Sequence, residues 1–340
     1  MRGITLVTTC AAAFGFLACN SERSLTEPST TAASAKSAQY RAVDLGALNG
    51  LFSEALAINP AGQVVGLTGT PALEVHAFLW EKGVMTDLGT LGGSRSEARG
   101  INPAGQVVGL ASTGAEQFHA FVWQNGVMTD LGTLGGITSG AEAINPAGHV
   151  VGNWRTAADE EHAFLWEKGV MKDLGASESF VIANDINPGG QVVGYMQVPG
   201  ALHAFLWRKG VTTDLGTLGG LWSQAFGINP QGQVVGQSNI AGDVAEHAFI
   251  WEKGVMTDLG TLGGNFSGAK SISPRGQVVG AGQTPTGEIH AFLWQKGVMT
   301  DLGTLGGSFS EAFAINPAGD IVGRSSVASG QVHATLWTRR

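Results

Sequence analysis

The phrase HAFLWEKGVMTDLGTLGG at His76 returns, little altered, at His119, His162, His203, His247 and His290, and in shortened form at His333. Two other phrases keep step with it. Asp-Leu-Gly recurs at Asp44, Asp87, Asp130, Asp173, Asp214, Asp258 and Asp301, and INPAGQVVG or a close variant starts at Ile58, Ile101, Ile144, Ile186, Ile228, Ile272 and Ile315. The spacing between copies is 41 to 44 residues. A repeat of this length is one supersecondary unit that cannot bury its faces alone and stacks on its neighbours.

Inside one unit the local signals are those of strands. SEARGIN reads as a first strand, and Asn102-Pro103-Ala104-Gly105 as a turn in which Pro103 presets φ and Gly105 takes the left-handed conformation. QVVGLAS is a second strand, FHAFVWQ a third, and VMTDLG a fourth. Asn125-Gly126 between the last two is the strongest two-residue hairpin signal, and other copies carry Lys-Gly there. Four short antiparallel strands per repeat is the signature of a β-propeller blade. No helical period survives the glycines, 52 in all, and no Gly-X-Y period marks a collagen. The 43% apolar content suffices for a packed core.

The two ends of the repeat array complement each other. YRAVDLG at Tyr40–Gly46 is a fourth strand with no first three, while EAFAIN, DIVGRSS and VHATLW at the other end have no fourth. The expected fold is therefore all-β: a seven-bladed propeller whose last blade is closed by the N-terminal strand, spanning residues 40–340.

The recurring His and Asp look like chemistry, but an enzyme needs one constellation and a scaffold needs seven. Across the hairpin Phe121 faces Asp130 and Trp123 faces Met128, which puts His119 diagonal to Asp130 on one sheet face. A His–Asp bond, or bonds to the repeated Ser at Ser53, Ser96, Ser139, Ser223, Ser267 and Ser310, would satisfy these groups, and the repeated tryptophans Trp80 to Trp337 would be core. No catalytic residue, metal site or cofactor is expected. A net charge of −8 without a basic stripe argues against nucleic acid as a partner.

The leader MRGITLVTTCAAAFGFLACN carries one cation, Arg2, before an apolar run too short to span a membrane, and reads as a secretory signal over residues 1–18. FLAC resembles a bacterial lipobox, with Ala18 before a lipidated Cys19; cleavage further on, near AASA, is the alternative. Residues 19–39, rich in Ser, Thr and Ala, form a tether. The chain is then exported, as an outer-membrane or cell-surface lipoprotein or as a secreted monomer, touching membrane only through Cys19. Both cysteines, Cys10 and Cys19, precede the repeats, so no disulfide holds the fold.

The HAF triplet with DLGTLGG and AINPAGQVVG resembles the HAF-repeat family of bacterial extracellular proteins, over Tyr40 to Trp337. The resemblance implies secretion or surface display and carries no catalytic residues with it. The fourth copy departs from the pattern: it lacks TLGG, and Val181 stands where other copies have Ser.

Binding is expected where copies differ. The tight turns fall on one rim, while the TLGG connections and the variable loops share the other. There the position seven before each Asn holds Phe52, Arg95, Thr138, Phe180, Trp222, Phe266 and Phe309. Flat aromatic faces there suit sugar rings or a peptide, although the same residues could simply pack between blades. Trp154 and Arg155 break a run of small residues in one loop. The expected ligand-binding set is Phe52, Arg95, Trp154, Arg155, Phe180, Trp222, Phe266 and Phe309, for a glycan or protein ligand. A polysaccharide-cleaving enzyme using Asp185 or Glu142 near the channel, and a purely structural or adhesive module, are the alternatives.

Overall fold

The computed structural model describes residues 40–48, 51–175 and 180–340. The leader, the tether and Cys19 lie outside the described residues.

Twenty-eight strands form seven four-stranded antiparallel blades. Blade I comprises Ser53–Ile58, Val64–Gly69, Val75–Glu81 and Val84–Asp87, and blades II to VI repeat it. Blade VII takes Gly306–Ile315, Ile321–Val327 and Val332–Arg339 from the end of the chain and Tyr40–Asp44 from its start. Tyr40 pairs with Arg339 and Asp44 with Thr335, so the expected closure is present. First strands touch one another in succession, and that of blade VII touches that of blade I. They are therefore the innermost strands of a closed ring.

The two-residue hairpins have positive φ at both central positions, as at Lys82 (51°) and Gly83 (87°). This primed geometry matches the twist of the flanking strands. The core lies between blades. Val65, Ala77 and Leu88 of blade I pack on Ala98, Val107 and Phe121 of blade II, and the other junctions repeat the layer. Of the repeated tryptophans only Trp337 is fully buried, whereas Trp80, Trp123, Trp166, Trp207, Trp251 and Trp294 are half-buried. In blade VII no hairpin turn interrupts the outer pair, and Tyr40 and Ala42 run on over Trp337. Elsewhere the core is the Ala-Phe of each HAF triplet and the paired valines.

The His–Asp bonds form in all seven blades, with Nδ1 2.7 to 3.1 Å from the carboxylate. They sit at the outer, wetter edge: the side chain of Asp214 is 43% exposed. Each Asp also accepts the N–H of the glycine two residues on, as Asp87 does from Gly89 at 2.7 Å. The repeated Ser plays a different part from the one expected. Ser96 Oγ accepts the Ala77 N–H of the preceding blade at 2.8 Å and donates to Gly89, so it ties two blades together. Five more junctions, including Ser53 to Ala334 across the closure, do the same. At the III/IV junction Val181 cannot. There Asn153 clamps Ala183, accepting its N–H at 2.9 Å and donating to its carbonyl at 3.2 Å.

Candidate functional site: the channel and an adjoining groove

Every first strand carries a β-bulge at the same place. In blade I, Ala55 pairs with Gly66 and Ala57 with Val65, leaving Leu56 extra. The bulged residues of blades I to VII are Leu56, Arg99, Glu142, Asn184, Phe226, Lys270 and Phe313. A bulge bends the strand and re-aims its side chain. Here all seven line one central cavity of about 420 Å³.

The glycine of each Val-Val-Gly makes the bulge possible. A Cβ on Gly66 would lie 1.8 Å from the carbonyl oxygen of Glu54, and the other blades repeat this approach. An invariant glycine inside a strand was the signal for it in the sequence. The bulge position was also legible as a place where the copies vary directly after an unchanging Ala.

Charged side chains cluster on and beside the channel lining. On blades II and III, Arg95 and Arg99 hold Glu97 at 2.6 and 2.9 Å, and Arg99 also pairs closely with Glu142. Burial opposes ionisation of Glu97, yet Arg99 and Arg95 outweigh it and hold the carboxyl below its ordinary range. Burial pushes Glu142 up despite Arg99. On blades VII and I, Arg324 bridges Glu54 and Glu311, both at 2.8 Å, and lies over the rings of Phe309 and Phe313. Asp185 reaches the lumen from a deep position, accepting the N–H of Ile186 at 2.8 Å and of Ile228, in the next blade, at 2.9 Å. Burial pushes its carboxyl up to about 6. The two acids considered for cleavage therefore share the cavity lining, but Glu142 is paired with Arg99 and Asp185 is tied to backbone.

A groove of about 550 Å³ opens beside the channel and shares Arg99, Glu142 and Asn184 with it. It is lined by Trp154, Arg155, Thr138 and Tyr195 among others. Trp154 does not project. It packs on His162, with ring centroids 5.3 Å apart, and its indole nitrogen is buried without a partner. Arg155 is held by Asp159 at 3.1 Å and Glu161 at 2.8 Å.

The rim set lies at the starts of the first strands, outside the channel lining. Arg95, Trp222 and Phe309 pair in parallel with the third strand of the preceding blade, and Phe266 makes an isolated bridge of the same kind, so this position belongs to the seams between blades. Phe52, Phe180, Trp222, Phe266 and Phe309 are half-buried there, and Phe180 packs on Tyr195 at 5.9 Å. Arg95 is exposed.

No family model and no curated protein matches the chain. Among solved structures it is similar to the acylaminoacyl peptidase of Pyrococcus horikoshii, at 13% identity and a TM-score of 0.56, over 85% of this chain and 52% of that one. It is similar to the β-propeller domain of the Trilobed protease from Pyrococcus furiosus, at 12% and 0.52, over 72% and 82%. A putative TolB from Agrobacterium tumefaciens matches at 12% and 0.50, over 76% and 94%. The chain spans about half the length of the peptidase. At these identities the likeness is one of fold, and the fold is a β-propeller.

Proposed function

We propose that this chain is an exported, non-enzymatic binding protein of the HAF-repeat kind, held at the bacterial surface through Cys19 and gripping a glycan with its loop-bearing rim and channel mouth. One observation supports the reading most. Residues that repeat are consumed by bonds within and between blades, while those that vary between copies collect around the channel and the adjoining groove. Half-buried aromatic faces at Phe52, Phe180, Trp222, Phe266 and Phe309, with hydrogen-bonding side chains beside them, suit sugar rings, whose C–H faces stack and whose hydroxyls need partners.

The test is electrophoresis of the purified protein through native gels containing a panel of polysaccharides, beside a Trp222→Ala/Phe266→Ala variant. Retardation of the parent alone, with an unchanged unfolding midpoint in the variant, is the expected result. Absence of retardation in every polysaccharide would move the reading to a protein partner. Loss of folding in the variant would make these aromatics seam packing only.

A further inference from the structure

Among the described residues, two cations line the channel cavity, Arg99 and Lys270, and the scaffold leaves the second unused. Arg99 is neutralised by Glu97 and Glu142. Lys270, the bulged residue of blade VI, makes no ion pair or hydrogen bond among the described residues. Its ammonium instead lies 4.0 Å from the ring centroid of Phe226 on blade V. Phe313, on blade VII, lines the same cavity, with Arg324 over its ring. Burial holds the ammonium below the ordinary lysine range, and Glu311, the acid that most favours its charge, is already bound to Arg324.

A desolvated ammonium without a counter-ion is costly, and nothing in the fold requires this one. The same position is Leu, Arg, Glu, Asn or Phe in other blades, so the bulge does not demand Lys. A bound carboxylate would supply the missing charge. The lining supplies what the rest of such a ligand needs: the rings of Phe226 and Phe313, the Ser271 hydroxyl, and the Asn184 amide oxygen, its nitrogen being bound to the Ala225 carbonyl at 2.7 Å. The cavity, about 420 Å³, is within the range of small-ligand sites.

We propose that the channel is a subsite for an acidic sugar, a hexuronic acid residue whose carboxylate pairs with Lys270 and whose ring lies against Phe226 and Phe313. This rests on the glycan reading above and narrows it to an acidic glycan. A peptide C-terminus would bring the same carboxylate, but the hydroxyl partners and paired aromatic faces favour the sugar.

The test is calorimetric titration of the full chain with a galacturonate oligomer, the matching neutral galactose oligomer, and a short peptide with a free C-terminus. A charge-assisted contact of this kind should give the acidic oligomer about a tenfold or greater advantage over the neutral one. Lys270→Gln should bring the two sugars to within about threefold of each other. A second reading needs no variant: galacturonate should protect Lys270 of the unaltered protein from an amine-acylating reagent, scored by peptide mass. Equal affinity for both sugars, an acidic preference that survives Lys270→Gln, or absent protection would overturn the subsite and leave the glycan reading standing. Preferential binding of the peptide would replace the sugar. Failure to bind any sugar would remove both readings.

Discussion

Asp185 shows how one residue can stiffen the ring at a cost. Equivalent positions in other blades are small, such as Ala57, Gly100 and Ala143. Here the carboxylate stitches blade IV to blade V through the Ile228 N–H. Its folded pKa, about 6, lies above the unfolded value of about 4. Below pH ~4 both states carry the proton and Asp185 imposes no penalty. As pH rises from ~4 to ~6 the unfolded chain loses its proton first, so stability falls, and the penalty is complete above ~6. Between pH 4.5 and 7.5 the unaltered protein should therefore lose about 2 kcal/mol more than Asp185→Asn. Urea denaturation of both proteins at the two pH values reads this directly. Parallel pH profiles would show that the carboxyl ionises as freely as in the unfolded chain. Loss of one backbone contact in the Asn variant would shift its whole profile without changing the slope.

At the scale of the element, the turn after the first strand does two jobs in blades I to V. Asn59 Oδ1 accepts the N–H groups of Ala61 and Gln63, which caps the turn. Its Nδ2 donates to Gln63 Oε1 at 2.7 Å and reaches the carbonyl of Asn102 in the next blade at 3.2 Å. Asn102, Asn145, Asn187 and Asn229 hand the same inter-blade bond onward. Blades VI and VII break the pattern, and in blade VII Asn316 donates to Asp320 at 3.1 Å instead. Ser273 still accepts from Arg275 and Gln277 but is too short to donate onward, and Gln277 Oε1 is left buried without a partner. Ser273→Asn should satisfy Gln277 and add a bond toward Asn316. The expected gain is about 1 kcal/mol, or roughly 1.5–2 °C in midpoint for a domain of this size. Differential scanning calorimetry would show it. An unchanged or lower midpoint would mean that the site has no room for the amide.

For the whole molecule, stability depends on closing the ring without a disulfide in the described residues. Tyr40–Asp44 pairs with Val332–Arg339, Asp44 bonds His333 at 2.7 Å, and the Tyr40 hydroxyl donates to the Gly319 carbonyl at 3.1 Å. Across the same seam Ser53 holds Ala334 and Arg324 holds Glu54. Removing residues 1–44 would bare Trp337 and open an edge in blade VII. Uncovering a large aromatic costs about 3–5 kcal/mol, so the midpoint should fall by roughly 5–8 °C. Tryptophan emission should shift to longer wavelength and become more accessible to iodide. A truncated protein with the parent's midpoint and spectrum would show that blade VII closes without its borrowed strand.

The repeat by itself determined the architecture of this protein. Period-two patterning, turn dipeptides at fixed offsets and complementary ends allow four strands per unit and closure by the N-terminal strand, because these are local rules of backbone geometry repeated seven times. The His–Asp pairs were legible too, since a two-residue hairpin sets the register that brings them together. What repeats between copies marked the scaffold without revealing the part each residue plays in it. The Ser and Asn reach across to another blade, and a bond to a residue some 43 positions away leaves no local trace. The tryptophans misled because hydrophobicity alone does not say which strand is outermost. Only the tertiary structure decided what the channel sees. The bulge turns position 56 and its six equivalents inward, while Phe52 and its equivalents fall on the seams. Whether a charge is neutralised or left over depends on which blades are neighbours. Arg99 finds Glu142 on the next first strand and Lys270 finds only aromatic rings, and that is fixed by the closing of the ring.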